Sequence, residues 1–331
     1  MVKRQLDGPV HSLTRSVVVA GPFPPPVHGQ SKNTQIIASD LAKMTRVIKA
    51  DLSPGSMHRS LGYHLRRSAL TVRACVKLVL NGLRPRPALY VPADGGLGLV
   101  YTIVLVAVGR VFRHSIFVHH RSFAALDRSS WLMKLAVSVA GQGACHIFLC
   151  RKMREKFIAV YPGAYNSMVS SNARHVIARS APPSHSPALR IGLLSNLDRA
   201  KGLYHFIKLV RACLALEVPI IATLAGPVGT SEDADAIARA RAEFGERLSY
   251  LGPVYDSEKD AFFSSLDVFV FPTEYVNEAQ PNVVFEAMSF GLPIIAIERG
   301  CLGEDVTPAC GLLVRSGPEF VDAAAVQLKA W

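Results

Sequence analysis

The sequence lacks the features of a secreted or metal-binding protein. Its first residues, "MVKRQLDGPVHSLTR", contain no apolar core of the kind found in a signal peptide. No two of its 6 cysteines have CxxC spacing, so the sequence shows no paired metal half-site. Most of them stand in apolar surroundings, as buried free thiols do, and we expect a protein of the reducing cytoplasm. The cysteines are Cys75, Cys145, Cys150, Cys213, Cys301 and Cys310.

Long apolar runs are also missing. The longest one, "LGLVYTIVLVAVG" from Leu97 to Gly109, has about 13 residues, whereas a helix needs roughly 20 to cross a bilayer. We predict that this run forms a buried helix rather than a membrane span.

Acidic residues are scarce in the first half of the chain. Up to Ser186 there are 25 Lys and Arg residues against 6 Asp and Glu, and from Pro187 onward there are 12 against 19. Such asymmetry indicates an anionic partner for the first half, either a nucleic acid or a phospholipid surface. The alternative is a basic face that is only solvated.

Strand-like and helix-like patterns alternate along the chain, which predicts an α/β fold with doubly wound sheets. The 331 residues are enough for two domains with separate cores. We place a linker from Arg179 to Leu189, in "RSAPPSHSPAL", and predict domains at residues 1–183 and 184–331. Neither domain has GxGxxG after its first strand, which argues against a plain dehydrogenase. The predicted strands are "SVVVAG", "ALYVP", "SIFVHH" and "HIFLC" in the first domain and "RIGLLS", "PIIATLAG", "LSYLG", "DVFVFP", "LPIIAI" and "GLLV" in the second.

Two carboxylates flank a predicted helix start in "NEAQPNVVFEAMSFGLPIIA". Glu278 lies in the loop, Pro281 suits the first helical turn, and Glu286 lies farther along the helix. The free N–H groups of such a helix start can receive a diphosphate or a sugar hydroxyl. The alternative is a helix with one solvated and one capping glutamate.

This motif resembles the signature of family 4 glycosyltransferases, also described as glycosyl transferases group 1. These are retaining enzymes of the GT-B fold, in which two Rossmann-like domains face a cleft. The matching residues are Glu278, Glu286, Ala287, Met288, Gly291 and Pro293. The resemblance extends over most of the chain, from about Val17 to Val314.

The resemblance implies a role for each part of the motif. Glu278 would contact the transferred sugar, and Glu286 would bind the ribose of the nucleotide. Gln280, Pro281 and Asn282 would line the donor site. The family usually has Gly-Phe-Gly after the first glutamate, where this chain has Ala279-Gln280-Pro281, so Gln280 is predicted to alter which sugar hydroxyls are recognised.

Three further segments resemble donor-binding parts of the family. In "LSNLDRAKGL", Lys201 matches the lysine that holds the diphosphate, Asn196 replaces the usual arginine, and Arg199 is the candidate for the missing cation. In "AGPFPPPVHGQS", Gly29 permits close approach of a phosphate or sugar, and His28 is a weaker candidate. In "SIFVHHRSF", a histidine at the strand end would reach the donor sugar. Alternation along the strand allows only one of His119 and His120 to do so, and we prefer His119.

The implied activity is retaining transfer of a hexose from a nucleotide-diphosphate sugar to a glycan or lipid-linked acceptor. The resemblance implies synthesis of bacterial surface polysaccharide or glycolipid, without a metal cofactor and without nucleic acid. The alternatives are a nucleotide-sugar epimerase of the same fold and a nucleic-acid-binding protein. The family usually continues past "GLLV" with helices that return to the first domain, so a chain ending at Trp331 is predicted to be short or incomplete.

A predicted helix between Met57 and Arg86 carries much of the basic charge. Four basic residues form one stripe, and the opposite side is apolar, which is typical of a helix lying on an anionic membrane. The alternative is a helix whose apolar side packs on its own domain. A membrane contact would make the protein peripheral on the inner face of the cytoplasmic membrane. The basic residues are Arg59, Arg66, Arg73 and Lys77, and the apolar ones are Met57, Leu61, Val72, Cys75, Val76, Val79 and Leu83.

Overall fold

The computed structural model describes residues 16–26, 29–55, 60–163, 165–179, 187–315 and 317–331. The chain divides into two compact units. Of the described residues, those in the ranges 16–121, 128–148 and 158–168 form the first unit. Those in the ranges 122–127, 149–157 and 169–331 form the second unit. The predicted boundary between residues 183 and 184 lies outside the described residues.

The first unit is built on a six-stranded sheet of order β2-β1-β3-β4-β5-β6. The neighbouring strands from β2 to β5 run parallel. All residues of β1 are buried, as its β-branched run predicts. The strands are β1 (Ser16–Gly21), β2 (Arg46–Asp51), β3 (Pro87–Pro92), β4 (Ser115–His119), β5 (Cys145–Phe148) and β6 (Asn166–Val169).

In the part of the chain that the structure describes, six α-helices connect these strands. Helix α1 connects β1 to β2 at one edge of the sheet, whereas the connections through α2, α3 and α5 each proceed toward the opposite edge. Because such crossovers are right-handed, α1 lies on one face of the sheet and α2, α3 and α5 lie on the other. Helix α3 packs between α2 and α5. The helices are α1 (Gly29–Ala42), α2 (Leu61–Gly82), α3 (Leu99–Val111), α4 (Ala124–Asp127), α5 (Trp131–Ala140) and α6 (Arg151–Val160).

Helix α3 differs from the buried helix predicted for this run. Leu105 and Val106 are buried, but Val104 is 40% exposed and Val111 is 74% exposed. The reason is that α3 is apolar on all sides, whereas its neighbours cover only part of its circumference. Among the residues that the structure describes, no helix is long and apolar enough to span a bilayer.

The second unit contains a second six-stranded sheet, of order β12-β11-β10-β7-β8-β9, with its own core. Its six predicted strands all form, at β7 (Leu189–Leu194), β8 (Ile220–Ala225), β9 (Leu248–Tyr250), β10 (Val268–Phe271), β11 (Ile294–Ile297) and β12 (Gly311–Val314). Its helices are α7 (Leu203–Ala215), α8 (Ser231–Phe244), α9 (Asp256–Ser264), α10 (Asn282–Ser289), α11 (Leu302–Asp305) and α12 (Gly317–Ala330).

A disulfide in the second unit corrects the expectation of free thiols. Cys150 is bonded to Cys301, while the other four cysteines are free. The two residues are 151 positions apart, so spacing along the chain gives no sign of the bond. They precede α6 and α11, and the backbone N–H of Arg151 donates to a Glu304 carboxylate oxygen at 3.1 Å. Lys152 adds an ion pair with Glu298 at 2.8 Å.

Candidate active site

The two charged residues predicted to bind the donor diphosphate and sugar lie together in the second unit. Lys201 follows β7 and Glu278 follows β10, and these strands are neighbours in a parallel sheet. Their carboxyl ends therefore meet at the edge where α/β sheets bind ligands. Lys201 Nζ lies 2.6 Å from Glu278 Oε2, with both side chains largely shielded from solvent.

The loop after β7 fixes the position of Lys201. Its backbone N–H donates to Asp198 Oδ1 at 2.8 Å, and its ammonium lies 4.2 Å from the centre of the Tyr275 ring. The next residue, Gly202, has a φ of +92°, and a Cβ there would lie 2.3 Å from the carbonyl oxygen of Pro272. The backbone therefore requires glycine at position 202, directly after Lys201.

Glu286 forms a second partly buried ion pair. Its Oε2 accepts a hydrogen bond from Lys259 Nζ of α9, and both side chains are mostly covered. This lysine was not predicted as a site residue. The helical pattern of its segment is visible in the sequence, but its pairing with a residue of α10 is a tertiary contact.

The start of α10 agrees with the predicted loop-to-helix corner. Pro281 is the N-cap residue, with φ −71° and ψ 122°, and Asn282 is the first helical residue. The Val284 N–H donates to the Pro281 carbonyl at 3.3 Å. The backbone N–H groups of this first turn form the positive end of the helix.

The side chain of Gln280 is buried within the second unit. Its Oε1 accepts from the backbone N–H of Asn172 at 2.8 Å, and its Nε2 donates to both carboxylate oxygens of Asp305 at 3.0 Å. The Asn172 amide in turn donates to the Gln280 carbonyl. Burial raises the pKa of Asp305 to about 6, although the hydrogen bond from Gln280 opposes this rise. The Gln280 side chain is therefore directed toward Asn172 and Asp305, and a sugar contact stays a prediction.

Arg199 and Asn196 lie in the loop that carries Lys201, and both are exposed. The Arg199 guanidinium lies 3.4 Å from a carboxylate oxygen of Glu232 and 4.3 Å from the centre of the Tyr204 ring. To replace the missing arginine at position 196, Arg199 would have to leave Glu232. Its predicted role therefore stays a prediction.

The predicted site residues of the first unit lie near the carboxyl ends of its strands. His119 ends β4, is buried, and has its Nδ1 2.7 Å from the Tyr90 hydroxyl. His120 contacts His146 instead, at 2.9 Å, and burial lowers its pKa well below the ordinary value. The two histidines thus have different partners, and the preference for His119 as the contact for the sugar stays a prediction. Gly29 is the first residue of α1, with open space where a Cβ would lie, and His28 is outside the described residues.

No metal site is evident in the part of the chain that the structure describes. Within the described ranges, no group of three or more His, Cys, Asp or Glu side chains could hold a metal ion. The predicted ability to react without a metal stays a prediction.

Comparisons with known proteins agree with this architecture. The family model described as "Glycosyl transferases group 1" matches residues 188–329. No curated protein sequence matches the chain. Among solved structures, the Anabaena protein HepE in complex with UDP-glucose has a TM-score of 0.66 at 15% identity, covering 95% of this chain and 89% of its own.

Two further structures have the same fold. Sucrose-phosphate synthase from Thermosynechococcus elongatus has a TM-score of 0.67 at 16% identity, covering 95% of this chain and 89% of its own. The lipopolysaccharide outer core galactosyltransferase WaaB has a TM-score of 0.67 at 14% identity, covering 95% and 90%. The chain therefore has the GT-B fold of two Rossmann-like units, and its residues 188–329 match the glycosyl transferases group 1 family.

Proposed function

We propose that this protein is a retaining glycosyltransferase that uses a nucleotide-diphosphate sugar as its donor. The observation that carries the proposal is the contact between Lys201 and Glu278 at the carboxyl ends of β7 and β10. It lies within the residues that match the glycosyltransferase family model. One of the similar solved structures contains UDP-glucose, which supports a nucleotide-sugar donor here.

The proposed chemistry assigns opposite tasks to the two members of this pair. Lys201 binds the diphosphate and stabilises the negative charge that grows as it leaves. Glu278 contacts the transferred sugar and stabilises the positive charge that develops at its anomeric carbon. The acceptor hydroxyl then attacks from the face that the diphosphate leaves, and a departing phosphate oxygen takes its proton. No metal is needed in this scheme, because Lys201 and the start of α10 supply positive charge.

The nucleotide end of the donor is assigned to α10. Glu286 accepts hydrogen bonds from the ribose hydroxyls, and Lys259 orients its carboxylate through the ion pair. Pro281 and Asn282 present the first turn of the helix to the diphosphate. Gln280 holds the preceding loop in place through Asp305, and we extend the proposal to His119 as a contact for the sugar.

We further propose a glycan or lipid-linked acceptor and a place on the inner face of a bacterial cytoplasmic membrane. The support is the excess of basic residues before Ser186, which suits an anionic surface. The product would belong to surface polysaccharide or glycolipid synthesis.

A donor screen tests the activity directly. Purified protein is incubated with bacterial membranes and a panel of labelled nucleotide sugars, and the anomeric configuration of the product is read by NMR. Transfer with retention is expected, and Lys201→Ala should abolish most of it. Inversion of configuration would overturn the retaining mechanism. Conversion of the donor into another nucleotide sugar without acceptor would instead identify an epimerase, and RNA binding with no donor use would identify the nucleic-acid alternative.

A further inference from the structure

Helix α2 has its apolar side turned to solvent. Its inner side is buried through Thr71, Ala74, Leu78 and Asn81. The opposite side holds large apolar residues that would normally be covered in a monomer. These exposed residues are Leu61 at 77%, Leu65 at 64%, Val72 at 64%, Val76 at 53% and Leu83 at 79%. Packing of the apolar side on the unit's own core, one of the two predicted arrangements, is therefore not what the structure shows.

The neighbouring helices extend this apolar surface. Because α3 packs between α2 and α5 on one face of the sheet, the outer sides of all three helices point the same way. We call this surface the three-helix face. Beyond α2 it contains Leu97, Val100, Val104 and Val111 around α3 and Trp131 and Leu135 on α5, all at least 40% exposed.

The three-helix face belongs to a strongly basic segment. From Leu61 to Ala140 the chain has 11 Lys and Arg residues and only two acids, Asp94 and Asp127. Asp94 is largely covered and pairs with Arg67 at 2.7 Å, so its charge is neutralised within the unit. Asp127 pairs with Lys156 in the second unit.

Positive charge borders the apolar stripe of α2 on one side. Arg66, Arg73 and Lys77 recur at helical spacing next to the stripe, and all are exposed. Arg84 and Arg86 follow the end of the helix and are also exposed. The surface thus combines exposed apolar side chains with a basic border, as interfacial helices do.

We propose that the three-helix face binds an anionic lipid bilayer, with α2 and α3 lying in the plane of the headgroups. Charge decides between this partner and a second copy of the chain. In a symmetric dimer the same surface meets itself, so the basic borders would face each other and repel. Anionic headgroups neutralise that border while the acyl region receives the apolar side chains. The proposal gives a site for the membrane contact and is independent of the sugar chemistry.

The two tryptophans allow a direct test. Trp131 lies on the three-helix face at 70% exposure, and Trp331 lies in the second unit at 50% exposure. In a Trp331→Phe variant, adding vesicles of anionic phospholipid should shift the Trp131 emission to shorter wavelength and protect it from aqueous quenchers. In the matched Trp131→Phe variant, the emission of Trp331 should not change. An unchanged Trp131 spectrum at saturating vesicle concentration would overturn the proposal.

A second test removes the apolar contacts while keeping every charge. A Leu65→Gln, Val72→Gln, Val76→Gln variant should bind anionic vesicles roughly 1000-fold more weakly, since each of the three buried aliphatic side chains contributes about tenfold. The control replaces three exposed apolar residues of the second unit, Leu216, Leu251 and Val326, with Gln and should bind like the parent.

The oligomeric state separates the two possible partners of this surface. Sedimentation equilibrium should find the parent and the α2 variant equally monomeric in the absence of lipid. A parent dimer that the α2 variant disrupts, together with equal vesicle binding by both, would show that a second copy covers this face. Donor hydrolysis should be the same in both proteins, so failure of the membrane contact is distinguishable from failure of the proposed enzyme activity.

Discussion

The Lys201 ammonium contacts the Glu278 carboxylate and the Tyr275 ring, and the backbone N–H of Lys201 donates to the Asp198 side chain. An ammonium fixed in this way is ready to stabilise a departing diphosphate without reorganising. We expect Lys201→Ala to lower kcat by about 100-fold or more, the scale for loss of one charge-stabilising group. Lys208→Ala, at an exposed lysine of α7, is the control and should leave kcat unchanged. Equal activity of the two variants would refute the role of Lys201.

Substitution of Arg199 tests whether this residue supplies the positive charge of the arginine that is missing at position 196. Its present partner is Glu232, and both side chains are more than 70% exposed, so the pair contributes little to stability. We expect Arg199→Ala to reduce activity by about tenfold while leaving the unfolding transition unchanged. Glu232→Ala should not reduce activity, because it frees the guanidinium. If Arg199→Ala has full activity, the compensation hypothesis is wrong.

Glu286 is predicted to bind the ribose, and its ion pair with Lys259 permits a test that separates binding from folding. Glu286→Ala should weaken binding of the donor nucleotide by at least about tenfold, since hydrogen bonds to a charged group are lost. Lys259→Gln removes the same ion pair but keeps the carboxylate, and it should weaken binding less. Calorimetric titration with the nucleotide measures both. Equal losses in the two variants would assign Glu286 a structural role.

Asp305 makes the stability of the second unit depend on pH. Burial raises its pKa to about 6, so between roughly pH 4 and pH 6 the folded protein keeps a proton that the unfolded chain has released. Stability from this group is therefore highest at low pH and falls as the pH rises through that range, by about 2–3 kcal/mol. Asp305→Asn should become more stable relative to the parent between pH 4 and pH 7. An equal difference in unfolding free energy between the variant and the parent at pH 4 and at pH 7 would contradict this.

At the level of single residues, motif matches predicted the positions that the fold brings together at one sheet edge. Lys201 and Glu278 are 77 positions apart, yet each follows a recognisable strand, so the pairing of those strands determines their contact. Lys259 and Asp305 were missed because neither is part of a motif. Their partners, Glu286 and Gln280, do belong to the motif, but which residues they contact is visible only in three dimensions.

At the level of secondary structure, the pattern of apolar residues predicted most elements but not their surroundings. Helix α3 was expected to be buried because it is apolar on every side, and periodicity does not reveal which sides have neighbours. Strand β2, "RVIKAD", was missed because it is an edge strand whose residues are mostly exposed or half-buried. The strands of the second unit were found because continuous apolar runs between turn residues are typical of parallel sheets.

The disulfide between α6 and α11 is a further prediction at this level. Under denaturing conditions without reductant, the protein should titrate as having four free thiols, whereas after reduction it should have 6. Because the bond closes a long loop, Cys301→Ser should lower the free energy of unfolding by about 2–4 kcal/mol. Cys75→Ser, at a free and only partly buried thiol, serves as the control. A count of six thiols before reduction would show that the bond does not form.

For the whole molecule, the arrangement of charge matters more than its total. The net charge of +12 arises from a basic first half and an acidic second half, so it does not by itself describe either surface. An anionic membrane would therefore be expected to attract the first unit specifically.

Two variants with the same net charge test this expectation. The first replaces Arg59, Arg66, Arg73 and Lys77 with Gln, where Arg59 lies outside the described residues. Each such charge contributes roughly 1 kcal/mol near an anionic surface, so vesicle binding should fall by about a thousandfold. The second variant replaces four exposed basic residues of the second unit with Gln and should bind almost like the parent. These residues are Lys208, Arg239, Arg241 and Lys329.

Salt and lipid composition complete the comparison of these variants. The difference between them should be largest at low ionic strength, because screening already weakens the parent at high salt. It should also disappear on neutral vesicles, where only the apolar side chains of the three-helix face contribute. Activity on a soluble acceptor analogue should be the same for both variants, since neither set of substitutions includes Glu278 or Lys201. An equal loss of anionic-vesicle binding in the two variants would show that total charge, rather than the basic border of α2, governs the attraction.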